Sequence, residues 1–149
     1  MEPYLGCKET FMKANSMEDK KFAPIGHKRW AIGEGYIPET SHGPEPEMTS
    51  HESICVLNTS DAEAHVQIWI FYSDREPVGP YKVSIDARRT KHVRFNDLTD
   101  PEPIPRGTDY ASLIESDVPI VVQHTRLDSR QEANALISTI AFADAESLI

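Results

Sequence analysis

Three clusters of proline and glycine set the scale of what this chain can build. Pro38 to Pro46, Pro77 to Pro80 and Pro101 to Pro105 each interrupt regular structure, because proline lacks an amide donor and clashes with a preceding helical turn. The runs between them are short and rich in β-branched and aromatic residues, which favours strands over helices. Val66-Gln67-Ile68-Trp69-Ile70-Phe71-Tyr72 is the clearest. Val66, Ile68 and Ile70 share one face and Trp69 and Phe71 the other, the pattern of a strand covered on both sides. Strands are predicted over 28–38, 52–58, 65–73, 81–85, 90–95, 118–127 and 135–143. Turns are expected at Asn58-Thr59-Ser60-Asp61 and at 77–80, with long loops over 39–50 and 99–109. One helical turn is predicted over 110–116. Short strands at this spacing point to an antiparallel sandwich or a small barrel.

The chain has 149 residues, enough for one domain with a single core. Residues 1–27 differ from the rest: they are polar, mixed in charge and weakly periodic. They are expected to form a flexible extension, partly helical around Glu9 to Asn15, and Met17 is a candidate internal start. The folded domain is expected over 28–143, with a tail at 144–149. No apolar run approaches the roughly 18 residues of a membrane span, and no leader pattern stands at the N-terminus. Cys7 and Cys55 are too few for a disulfide scaffold or a structural zinc site. A soluble, intracellular protein is therefore expected.

The formal charge of −9 disfavours a purely electrostatic nucleic-acid binder, but it is unevenly spread. No lysine or arginine occurs from Trp30 to Asp74, a stretch holding Glu34, Glu39, Glu45, Glu47 and Glu52. Basic residues then cluster at Arg88, Arg89, Lys91 and Arg94. Such runs are often solvated faces. Arg88, Arg89 and Lys91 are nonetheless the candidates for touching nucleic-acid phosphates, although no helix-turn-helix or stacking pattern accompanies them.

Residues two apart on a strand share a face. One strand then presents His92, Arg94 and Asn96 together, and another presents His124 and Arg126. If the two strands are neighbours, their side chains converge. Arginine offers a rigid donor fork to a carboxylate or phosphate, and histidine a donor or acceptor near neutral pH. Glu34, His51 and Glu52 would complete such a site from the acidic side, with Trp30 as an apolar platform. The competing reading is that His124 and Arg126 are buried and satisfied structurally. A metal-assisted enzyme built on His51, Glu52, His92 and His124 lacks any tight ligand spacing. Cys55, inside Ile54-Cys55-Val56-Leu57, reads as a buried inert thiol. No GxSxG, Walker or GxGxxG motif is present, so no catalytic residue, metal ligand or cofactor is assigned.

Longer strings carry a resemblance. Trp30 to Pro38 (WAIGEGYIP), Gly43 to Pro46, Ser50-His51-Glu52, Tyr72-Ser73-Asp74, Glu76 to Tyr81, Ala87 to Leu98 (ARRTKHVRFNDL), Val118 to Gln131 (VPIVVQHTRLDSRQ), Asn134-Ala135-Leu136 and Ser138 to Ala141 resemble the soluble sensory rhodopsin transducer family. The resemblance spans about 28–143. It implies an all-β, jelly-roll-like antiparallel sandwich that assembles into a homotetramer. It also implies a cytoplasmic, non-enzymatic signalling protein that meets the inner face of a seven-helix sensory rhodopsin. The wider family is thought to bind small molecules such as sugars or related metabolites, and a DNA-binding, transcription-linked role is the alternative. The candidate ligand residues Trp30, Glu34, His51, Glu52, Arg94, Asn96, His124 and Arg126 all fall within the resemblance. Their nomination rests on side-chain chemistry.

Overall fold

A computed structural model describes residues 20–145. The helical reading of 9–15, the start at Met17 and the last four residues lie outside the described residues. Eight strands follow one another: β1 (His27–Tyr36), β2 (His51–Asn58), β3 (Ala64–Phe71), β4 (Val78–Ile85), β5 (Arg89–Arg94), β6 (Asp109–Asp128), β7 (Ala135–Ile140) and β8 (Phe142–Ala143). Every pairing is antiparallel. Among the described residues the fold is all-β, as the sequence predicts, with one 3-10 turn at Phe95–Asp97.

The spine is β6, 20 residues long. Its first half lies between β1 and β3 in a sheet ordered β4-β3-β6-β1-β8. Its second half lies between β2 and β7, with β5 beyond β2. The changeover falls on Asp117-Val118-Pro119, which have no paired partner in either ladder. Pro119 has no amide to donate, so it is tolerated at this break and nowhere else in the strand. The segment read as a helical turn, 110–116, is instead the first half of β6. Tyr110, Ser112, Ile114 and Ser116 alternate inward with period two, and two flanking ladders outweigh local propensity.

From Tyr110 to Arg126 the even-numbered residues of β6 face the interior, and the alternation breaks at the end of the strand, where Leu127 is buried. The inward residues meet Trp30 and Ile32 of β1, Ile54 and Val56 of β2, and Val66, Ile68 and Ile70 of β3 in one core. Burying an isoleucine side chain stabilises the fold by about 1.5–3 kcal/mol, so this alternation holds the register. β3 is buried on one face only: Gln67 and Phe71 are exposed and Trp69 is half-buried, so cover on both faces is not found. The turn expected at 77–80 lies earlier, at 73–75, and β4 already runs from Val78. The strand expected over 135–143 is two strands, broken at Ala141, whose amide donates to Val122 of β6.

Two buried hydroxyls tie the long loop 39–50 to the end of β6. The Ser50 amide donates to Ser41 Oγ and its hydroxyl to the Thr40 carbonyl, while the Ser129 amide donates to Ser50 Oγ. Ser129 Oγ in turn donates to the Met48 carbonyl. This knot fixes the start of β2, and with it the direction of His51 and Glu52.

Candidate functional site

Glu52 is the centre of the only buried ion-pair cluster among the described residues, with a side chain 1% exposed. It lies on the inner face of β2, opposite Arg126 in the β2–β6 register. The Tyr36 amide donates to Oε1 at 2.8 Å, and Arg126 Nε donates to the same oxygen at 2.5 Å. His124 Nε2 bonds the other oxygen, Oε2. Arg126 Nη2 reaches on to Glu34 Oε1 at 3.0 Å. An isolated carboxylate in this interior is costly, and the guanidinium, the imidazole and the amide together offset that cost. Burial alone lowers the Arg126 pKa, but hydrogen bonds and charge from Glu52 and then Glu34 outweigh it, leaving the guanidinium above its ordinary value.

The backbone explains why Glu34 can reach. β1 shifts register between Ile32 and Gly35, and this bulge carries Glu34 to the edge of the interior. A Cβ on Gly35 would lie 2.4 Å from the Tyr110 ring, so only glycine lets β1 pass there. Tyr110 is buried, and its hydroxyl has no hydrogen-bond partner. Burial drives its pKa far up, and the Glu52 charge drives it further, with Arg126 acting in the opposite sense. Ser112, two residues on and facing the same way, also has an unpartnered hydroxyl.

Beside the cluster opens a cleft of about 270 Å³. Glu34, His124 and Arg126 form its polar side, and Ile137, Ile140 and Phe142 its apolar side. β7 and β8 make that apolar side as the chain crosses from the second sheet to the first. The geometry suits a small ligand with hydroxyls on one face and hydrocarbon on the other.

Of the residues nominated from sequence, the structure brings together Glu34, Glu52, His124 and Arg126. The two His/Arg pairs do not converge. β2 stands between β5 and β6, and Ser53 is opposite both Arg94 and Thr125. Arg94 therefore shares a face with Thr125 and points away from Arg126. His92 lies on that same outer face, with Nε2 3.0 Å from Cys55 Sγ. Cys55 is half-buried rather than buried, and burial still raises its thiol pKa. Asn96 sits in the 3-10 turn and donates to the Ser50 carbonyl at 3.0 Å. His51 Nδ1 bonds the Thr49 carbonyl at 2.8 Å. Trp30 is sealed in the core, its Nε1 donating to the His27 carbonyl, so it offers no platform to the cleft. No group of three or more metal-ligating side chains occurs among the described residues.

The basic residues are spread around one turn. Arg88 has φ of 57° and donates to the Lys20 carbonyl, with Asp61 at 3.8 Å. Arg89 donates to the Arg88 carbonyl, and Lys91 to the Ser84 carbonyl of β4. Sequence reasoning missed Tyr110 and the β7 wall. The period-two alternation of Tyr110, Ser112 and Ile114 was the available signal for the first.

Residues 25–143 match the family model described as Anabaena sensory rhodopsin transducer. Among solved structures, one described as Anabaena sensory rhodopsin transducer is 62% identical over 69% of this chain and 100% of that chain, with a TM-score of 0.63. A Thermotoga maritima protein is 34% identical over 80% of this chain and 96% of that chain, with a TM-score of 0.72. Among curated proteins, none matches. On the strength of a match spanning all eight described strands, the chain belongs to the Anabaena sensory rhodopsin transducer family.

Proposed function

We propose that this chain is a non-enzymatic signalling module that takes a signal from the cytoplasmic face of a seven-helix sensory rhodopsin and passes it on through a homotetramer. Family membership supports the receptor partner. No described helix is long and apolar enough to cross a membrane, in keeping with a partner that works beside one. Two uncovered apolar surfaces support assembly. One is β7. The other is a band on the outer face of the first sheet, where Phe142, Ala31, Leu113 and Trp69 stand in register with Phe71 alongside.

The cleft is a small-ligand site in this reading. The single observation that carries it is the state of Arg126, already held by Glu52 and Glu34. A guanidinium shared by two carboxylates has little attraction left for an anion. The exposed Glu34 carboxylate and the His124 ring favour a neutral, sugar-like ligand that donates hydroxyl protons and lays an apolar face on Ile137 and Ile140. The DNA-binding alternative rests on Arg88, Arg89 and Lys91, each of which gives one hydrogen bond to a main-chain carbonyl.

A thermal-shift screen of monosaccharides, polyols, nucleosides and organic acids tests the cleft, because a ligand that binds the folded state raises the melting temperature. Neutral hydroxylated compounds are expected to score, and Glu34→Ala to abolish the shift. Hits confined to organic acids, or a shift untouched by Glu34→Ala, would overturn the assignment.

A further inference from the structure

β5 is the outermost strand of the second sheet. Among the described residues β2 is its one ladder partner, so its far edge keeps its backbone groups unpaired. Edge strands are ordinarily shielded by a bulge, a proline, a covering element or charge, because free amides and carbonyls pair readily with another strand. β5 relies on charge. Its register with β2 runs without a shift from Arg89 opposite Asn58 to Arg94 opposite Ser53, and it holds no proline. Arg89, Thr90, Lys91 and His92 are all exposed.

The charge is of one sign. No acid stands between Asp86 and Asp97, in a chain whose formal charge is −9. A second copy of this edge is repelled, and a negatively charged strand is drawn to it. The two sides of the strand differ. Val93 is buried, and Lys91 on the same side reaches across to the Ser84 carbonyl of β4. Arg94 and His92 lie on the other side. Every other described arginine donates to a carboxylate or a main-chain carbonyl. Arg94 donates to neither among the described residues, and its Nε is buried without a hydrogen-bond partner. The residues next to it across the sheet, Ser53 and then Thr125, carry hydroxyls and no charge. A half-buried guanidinium without a counter-ion is costly, and an incoming carboxylate would supply one.

We propose that the free edge of β5 takes an extended, acidic segment of a partner protein as an added strand. Main-chain hydrogen bonds to the edge supply affinity, and the alternation of side chains supplies specificity. Segment residues of one parity stand opposite Arg94 and His92 and are acidic. Those of the other parity lie beside Val93 and the stem of Lys91 and are β-branched. The segment extends the second sheet at the edge away from β7, and so leaves the cleft open. Duplex DNA would meet the same charges but has no use for a row of free amides and carbonyls, so the edge favours a peptide.

The test uses the full chain, isotope-labelled for amide NMR, and peptides alternating Glu with Val or Thr, long enough to span the six residues of β5. Such peptides are expected to shift the amides of Arg89 to Arg94 and to slow their hydrogen exchange. Methylating the peptide nitrogens at alternate positions is expected to abolish binding in one parity and spare it in the other, since only every second residue of an added strand bonds to the edge. Glutamine in place of glutamate in the peptide, or Arg94→Gln in the protein, is expected to weaken binding about tenfold. Arg94→Glu is expected to reverse the preference, favouring peptides with Lys in place of Glu. Equal binding of both methylated series overturns strand addition. No shift with any peptide, or shifts confined to other strands, overturns the site. A DNA duplex that shifts the same amides more strongly than any peptide, with a steep salt dependence, assigns the edge to nucleic acid instead. None of these readouts involves the cleft, so a failed ligand screen leaves them standing.

Discussion

In its first half β6 has β1 on one side and β3 on the other, and Tyr110, Ser112, Ile114 and Ser116 are all buried. In its second half the same alternation continues inward, but the neighbours are β2 and the bare strand β7. Ile120 and Val122 are buried, while His124 and Arg126 are only partly so. One strand with one periodicity thus makes a sealed core at one end and a charged cleft at the other. What differs is the flanking cover. A polar inner face is tolerated where a neighbour leaves room for water or a ligand, and two hydroxyls are left unpartnered where neighbours seal the space completely.

The largest predicted effect lies at the open end. Glu52→Ala removes the acceptor of the Tyr36 amide, the His124 ring and Arg126 Nε together. Breaking a buried pair from one side costs about 3–5 kcal/mol, and Arg126 retains Glu34, which places the loss near the lower end. Urea denaturation measures it. A loss below about 1 kcal/mol would mean that the cluster is solvated and the cleft extends deeper than Glu52.

Much of this contrast was legible in the sequence. Val118, Ile120 and Val122 followed by His124 and Arg126 on one parity announced a strand whose inner face turns polar. Glu34 and Glu52 were recognised as acidic partners by charge alone. Pairing was not legible, because strand order is a long-range property that local pattern does not encode. β2 comes between β5 and β6, and a face is fixed by register, so Arg94 pointed outward although its spacing from His92 matched that of the other pair. The first half of β6 does not stand out as a strand because Ser112 and Ser116 dilute its apolar alternation. Trp30 is ambiguous for the opposite reason: its size favours a platform and a core position equally, and only the packing of β1 decides.

An intermediate effect is predicted at the sealed end. Gly35→Ala adds a Cβ where the Tyr110 ring already stands at 2.4 Å. The ring is buried in the core and cannot swing aside freely, so overpacking should cost about 1–3 kcal/mol. Pairing the change with Tyr110→Phe separates ring from hydroxyl. The phenol oxygen makes no hydrogen bond, so the single Tyr110→Phe change should leave stability unaltered or raise it. A clear loss for that variant would show that the hydroxyl is satisfied, and that the sealed half is wetter than its neighbours imply.

The smallest predicted effect sits between the two halves, at the break in β6. Asp117 there accepts the His65 amide at 2.8 Å and His65 Nδ1 at 2.7 Å, which joins β3 to the changeover. Burial alone would raise the Asp117 pKa, but these bonds and the histidine charge hold it below its ordinary 3.8. The bond and charge of Asp117 hold the His65 pKa above its ordinary 6.5. The imidazole therefore stabilises the fold fully below pH 6.5, and this is lost as pH rises through its folded value. The carboxylate stabilises above pH 3.8, and this is lost as pH falls through its folded value. The pair contributes most between those limits. Both side chains are largely exposed, so the gain is modest and falls with salt. Melting temperatures of the wild type and His65→Ala should thus differ most near pH 5, and converge above pH 8. A difference that is constant across this range would mean that the ring acts by packing alone, and that charge does nothing to hold β3 at the point where β6 passes from its sealed half to its open one.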